Sequence, residues 1–232
     1  MKRFIILLLI LFLFSPNGAG ADNENPEEML KKNFPGRNFE SVSPTPVKGL
    51  YEIYTGNQII YYAPEANILI YGNMITKEGK NLTRENYLKK MAGKMAHLPL
   101  DTALKIGSGK NIVVEFMDPD CHFCRESYKF FSQRKDVTIY VFFYPISQVS
   151  EKKIRYILCA ADQVKAYDEV MSGKHDNDPK LVVCADKKVE ETLKNYRKLA
   201  GQIGLRSTPI FYFKGRVIDG FERPVWENLL KN

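Results

Sequence analysis

The stretch Ile112–Phe131, IVVEFMDPDCHFCRESYKFF, constrains the fold more than any other part of the chain. A β-branched run, Ile112-Val113-Val114-Glu115-Phe116, passes through Asp118-Pro119-Asp120 into Cys121-His122-Phe123-Cys124 and a helix-compatible segment ending near Gln133. The pattern predicts a strand, a tight turn and a helix whose first turn carries two thiols. Residues three apart in a helical turn share a face, and the unpaired N–H groups and positive dipole end favour a thiolate there. Cys121, the outer sulfur, is expected to be the exposed, acidic nucleophile. A C-x-x-C pair also reads as half a zinc site. Its place after a strand and at a helix start supports redox chemistry instead. A zinc site wants a second closely spaced pair, and Cys159 and Cys184 are far apart, which argues against zinc without excluding it; thiol exchange itself needs no metal and no organic cofactor.

The compartment is read from the start of the chain. Lys2-Arg3 precede eleven apolar residues, Phe4 to Phe14, and Ala19-Gly20-Ala21 has the form of a cleavage site. The apolar run is short for a bilayer span and fits a secretory signal over residues 1–21, with an uncleaved anchor as the weaker alternative. No cysteine follows that run to carry a lipid. Export would place four cysteines in an oxidising compartment, where they are expected to be paired or catalytic. Cleavage would remove two basic residues and no acidic ones, lowering the formal charge from +7 to +5. No basic cluster interleaves with aromatics, so nucleic acid is not an expected partner.

Past the signal, Pro26 suits a first helical position, and Met29, Leu30 and Phe34 share one side of a short helix. After the prolines at 44 and 46 the period changes to two. Strands are expected over 51–55, 58–63 and 67–74, joined first by Gly56-Asn57. Tyr51, Tyr54, Tyr61, Tyr62 and Tyr71 make this small meander aromatic on more than one face. A unit of about 60 residues buries too little apolar surface to stand comfortably alone, so it needs a second domain or a second chain. Tyr87, Leu88, Met91, Met95 and Leu98 recur at helical spacing over Thr83 to His97, giving a connecting helix. Beyond the thiols come an apolar strand over 137–144, a helix over 151–171 containing Cys159, a polar loop, Cys184, a helix over 189–203, a hairpin over 210–220 and a closing helix around Trp226. That order is the one of a thioredoxin-like domain with helices inserted in its middle. The chain is therefore expected to combine an α+β N-terminal part with an α/β catalytic part, divided as 22–82, a connection over 83–109, and 110–232.

The chain resembles the periplasmic DsbC/DsbG-type disulfide isomerases over nearly its whole mature length. The resemblance is carried by Pro44-Thr45-Pro46-Val47-Lys48-Gly49-Leu50, by Ile68 to Met74 with Tyr71-Gly72, and by Phe116-Met117-Asp118-Pro119-Asp120-Cys121-His122-Phe123-Cys124. Cys159-Ala160-Ala161-Asp162, the segment Ala166 to Gly173 and Ser207-Thr208-Pro209 complete it. It implies a V-shaped homodimer paired through small antiparallel-sheet N-terminal domains, with a linker helix leading to each thioredoxin-like domain. It further implies Cys121 as nucleophile, Cys124 as resolving thiol, Thr208 and cis-Pro209 beside the thiols against substrate, and Cys159–Cys184 as a structural disulfide. His122-Phe123 departs from the Gly-Tyr and Pro-Tyr of the best-known members, so the redox poise is left open.

The implied activity is reshuffling of wrong disulfides in misoxidised or unfolded secreted proteins, with a DsbD-like membrane reductase as electron donor. A dithiol oxidant and a DsbG-like holdase chaperone remain as alternatives. His122 either supports the Cys121 thiolate as an imidazolium or contacts substrate as a neutral ring beside Phe123. Asp118 and Asp120 are expected to oppose the thiolate by like-charge repulsion. Glu115 reads as an edge-facing carboxylate in preference to a proton acceptor beneath the thiols, and His97 and His175 read as surface residues.

Overall fold

The computed structural model describes residues 25–176 and 178–231; the expected signal peptide lies outside them. Among the described residues no helix is long and apolar enough to cross a membrane.

The N-terminal part begins with α1 (Pro26–Asn33), capped by the Asn25 side chain, which accepts from Glu27 N at 3.1 Å. An antiparallel four-stranded sheet follows in sequential order: β1 (Ser41–Pro44), β2 (Tyr51–Tyr54), β3 (Ile59–Ala63) and β4 (Ile68–Ile70). Period-two alternation divides it into two apolar faces. Ile53, Ile60 and Tyr62 pack on Leu30 of α1, while Tyr54, Ile59 and Tyr61 face Leu50, Met74 and Tyr87. β1 escapes a period-two reading because its last residue is Pro44, a residue tolerated at the edge of a sheet. β4 ends at Ile70, four residues short of the expected Met74.

The connecting helix α2 (Leu82–Met95) is capped by Asn81, whose side chain accepts from Arg84 N at 2.9 Å. Its N-terminal half lies against the catalytic part. Arg84 pairs with Asp219 at 2.9 Å, and Tyr87 donates to the Gly204 carbonyl while the Arg206 guanidinium lies 5.5 Å over its ring. Gly204 ends a helix at φ +79°, and a Cβ there would stand 2.7 Å from the Tyr87 hydroxyl and 3.1 Å from the Gly56 carbonyl. Only glycine permits that convergence.

The segment expected as a plain connection after α2 contains β5 (Leu104–Ile106). The catalytic sheet has the order β5-β7-β6-β8-β9, with β6 (Asn111–Met117) parallel to β7 (Val137–Phe143). β8 (Ile210–Phe213) and β9 (Arg216–Asp219) form the expected hairpin. α3 (His122–Phe131) follows β6, and its Phe131 meets Phe211 and Trp226, the latter fully buried on α7 (Arg223–Lys231).

The single helix expected over 151–171 is two, α4 (Gln148–Cys159) and α5 (Gln163–Met171). Asp162 separates them: its side chain accepts from Lys165 N at 3.0 Å, a bond that starts a helix better than it continues one. α6 (Lys187–Ile203) buries Tyr196 against Phe142. Cys159 at the end of α4 is disulfide-bonded to Cys184.

Candidate active site

β6 aims its apolar side chains into the core and delivers the chain to a turn held by Asp118. That carboxylate is fully buried and accepts from Asp120 N at 2.7 Å and Ile146 N at 2.8 Å, tying the thiol turn to the chain beyond β7. Cys121 is the N-cap residue of α3, half-buried, and Cys124 sits within the first turn with no exposed surface; both are free thiols. Thr208 and Pro209, joined by a cis peptide bond, face Cys121 from the start of β8.

As a thiol, Cys121 Sγ donates to the Thr208 carbonyl at 3.2 Å; as a thiolate it accepts from the Thr208 side chain. The first bond favours the proton and the second the charge. The charge wins, because the Cys124 thiol donates most strongly to the sulfur and the Cys124 and Phe123 backbone N–H groups add to it, against the cost of burial. Together they pull Cys121 down to about 5. Cys124 moves the opposite way, well above an ordinary thiol, by burial first, then by its bond to Cys121 and by the negative charge of Glu115.

Glu115 corrects the expectation of an edge-facing carboxylate. It is 1% exposed and accepts from Ser127 Oγ at 2.7 Å. Burial pushes it up to about 8, with the Ser127 bond working against the rise and the Cys121 charge adding to it. The physical reason is that β6 is paired on both sides, with β7 and β8, and so has no free edge for Glu115 to face. The signal was one carboxylate inside an otherwise apolar central strand.

Asp118 and Asp120 are expected to oppose the thiolate, but hydrogen bonds to the sulfur and burial are the largest influences on Cys121, and both carboxylates are engaged elsewhere. The first is spent on two backbone N–H groups. The second is paired with Lys153 at 2.5 Å and Arg125 at 3.4 Å, partners with no signature in the sequence. His122 and Phe123 are both exposed, with rings 5.5 Å apart in an edge contact. His97 is exposed as expected. His175 is not a surface residue: its ring lies 4.5 Å from Tyr156 and Nδ1 is 3.3 Å from Asp178, leaving the side chain 13% exposed. Among the described residues no cluster of His, Cys, Asp and Glu could hold a metal ion.

Residues 17–84 match the model of the disulfide bond isomerase protein N-terminal domain, and residues 98–230 that of a thioredoxin-like domain. The probable thiol:disulfide interchange protein DsbC of Bordetella parapertussis is 31% identical over 204 residues, covering 85% of this chain and 70% of that protein. The thiol:disulfide interchange protein DsbC of Escherichia coli is 25% identical, covering 97% and 93%. Among solved structures, the thiol-disulfide exchange protein alpha-DsbA2 of Wolbachia pipientis superposes with a TM-score of 0.52 at 18% identity, over 66% of this chain and 98% of that one, a likeness of fold alone. A half-buried thiol favoured as thiolate, a buried partner three residues on, and matches across both parts of the chain lead to one assignment: the chain belongs to the DsbC family of thiol:disulfide interchange proteins.

Proposed function

We propose that this protein is a periplasmic disulfide isomerase whose nucleophile is Cys121 and whose resolving thiol is Cys124. The half-buried Cys121 at the start of α3 beside a fully enclosed Cys124, in a chain whose residues 17–84 match the disulfide bond isomerase N-terminal domain, carries the reading. Cys121 thiolate attacks one sulfur of a wrong disulfide, forming a mixed disulfide and expelling a substrate thiolate. A second substrate thiolate then attacks the substrate sulfur of that bond and expels Cys121, so electrons balance and no external reductant is used. Where no substrate thiol arrives, Cys124 gives its proton to the Glu115 carboxylate and attacks Cys121, releasing the substrate reduced. The resulting 121–124 disulfide then needs two electrons from a dithiol donor, which we assign to a DsbD-like membrane reductase.

Thr208, Pro209, His122 and Phe123 form the substrate-contacting rim in this reading, and the 159–184 disulfide braces the inserted helices. The functional division is 22–82 for dimerisation, 83–109 for connection and 110–232 for catalysis, after a signal over 1–21. A homodimer is supported by β4, the edge strand of its sheet, whose Ile68 and Ile70 are exposed beside exposed Tyr71. The test is recovery of scrambled ribonuclease by wild type and Cys121→Ala, with aggregation suppression measured alongside. Cys121→Ala is expected to lose recovery and keep suppression; unchanged recovery overturns the isomerase reading in favour of a holdase.

A further inference from the structure

Beside the thiol turn, the described residues form a cleft of about 990 Å³ whose lining includes Asp120, His122, Arg125, Lys153 and Asp176. Its floor is a closed ring of charge. Lys153 Nζ lies 2.5 Å from Asp120 Oδ1 and 2.6 Å from Asp176 Oδ1. Arg125 grips Asp176 with both terminal nitrogens, at 2.5 Å and 2.6 Å, reaches Asp120 Oδ1 at 3.4 Å, and donates from Nε to the Pro119 carbonyl at 2.7 Å. Two cations and two carboxylates therefore come from four separate places: the thiol turn, α3, α4 and the loop after α5. The Lys153 side chain is 5% exposed.

Burying the Lys153 ammonium is a poor way to gain stability, since its desolvation consumes most of the attraction to carboxylates that themselves remain partly exposed. The neighbouring Lys152 shows the ordinary disposition, reaching across the surface to the Pro179 carbonyl at 3.2 Å. What distinguishes Lys153 is its partner: Asp120 directly precedes a sulfur that becomes an anion in every turnover. We propose that Lys153, with Arg125 and Asp176, is a positioning residue for thiol exchange, neutralising the Asp120 carboxylate so that it does not oppose the Cys121 thiolate.

The proposal rests on Cys121 being the nucleophile. The other charged or titratable groups near this sulfur do not replace Lys153. Glu115 and Cys124 lie below it, Asp118 is committed to backbone N–H groups, and His122 points to solvent. Arg206, beyond Thr208, lies over Tyr87. A neighbouring like charge raises a thiol's titration, and a rise of about one pH unit is expected here because the Asp120 side chain, on the residue next to Cys121, is 27% exposed.

The test is the pH profile of Cys121 alkylation in the reduced protein, with folding checked by circular dichroism, for wild type, Lys153→Gln, Lys153→Arg and Asp120→Asn/Lys153→Gln. Lys153→Gln is expected to raise the midpoint by about one pH unit, so that the thiolate fraction below the wild-type midpoint falls about tenfold. Lys153→Arg and the double variant should return it to the wild-type position. An unmoved midpoint in folded Lys153→Gln overturns the proposal, as does a midpoint in the double variant that stays raised. Should Lys153→Gln alone fail to fold, Asp120→Asn decides: it leaves Lys153 and Arg125 sharing only Asp176, so the midpoint is expected to fall below wild type, and an unmoved midpoint overturns the proposal. A wild-type Cys121 that alkylates only with an ordinary thiol midpoint would instead refute the nucleophile assignment itself.

Discussion

Glu115→Gln should remove a large, pH-dependent loss of stability. In the folded protein this carboxyl is fully buried and titrates at about 8, against 4.5 when free. Between those values the folded chain holds a proton that the unfolded chain has released, so stability falls as pH rises. The separation, at about 1.4 kcal/mol per pH unit, amounts to about 5 kcal/mol, of which about 3.5 falls between about pH 5 and about pH 8. The measurement must be made on the 121–124 disulfide form. In the reduced protein Cys121, depressed to about 5 from 9, contributes a slope of opposite sign over nearly the same range and would mask it. Oxidation removes that titration and the Cys121 charge but leaves burial, the larger cause of the Glu115 rise. Urea unfolding of oxidised wild type should therefore show stability dropping by about 3.5 kcal/mol relative to oxidised Glu115→Gln from the lower pH to the higher. A constant difference between the two proteins across that range would refute the burial argument.

Cys159→Ala/Cys184→Ala should lose about 3.5 kcal/mol in urea unfolding, the chain-entropy value for a closure of 25 residues, while keeping a depressed Cys121 titration. Ile70→Lys puts a charge on the exposed edge strand and should leave the protein monomeric by light scattering where wild type has the mass of the proposed dimer; equal masses would refute pairing through β4. Cys124→Ala should accumulate mixed disulfides with a scrambled substrate, visible on non-reducing gels and released by added dithiol; no accumulation would remove Cys124 from the resolving role.

The parts of this molecule readable from sequence are those in which one segment carries its own signal. β6, the thiol turn and α3 were legible as one unit because periodicity, turn residues and thiol spacing coincide within Asn111–Phe131. The tyrosine faces of the N-terminal sheet followed from alternation alone. β1 and β5 were not legible: one ends on a proline and the other is three residues long, too short to show a period. The break between α4 and α5 turned on one capping aspartate, which helical spacing ignores. The charge ring was hidden for a different reason, since Asp120, Arg125, Lys153 and Asp176 meet only after four elements have packed. Sequence distance conceals such sets even when every member is visible.

The same contrast bears on why the two sulfurs behave unlike each other. They are three residues apart on one helix, so the dipole and the backbone N–H groups reach both, and helix position alone would make them similar. Packing separates them. Cys121 stands at the rim with donors around it, whereas Cys124 is enclosed with a carboxyl beneath and therefore keeps its proton. In the proposed mechanism a mixed disulfide on Cys121 then meets two competitors: a substrate thiol arriving from solvent, and a partner sulfur that must first give its proton to Glu115. Because Glu115 titrates near 8, it is itself mostly protonated in neutral solution, and the internal attack waits while substrate thiols rearrange. Burial of one carboxyl and one thiol thus delays release of the substrate in reduced form and leaves time for its own thiols to attack.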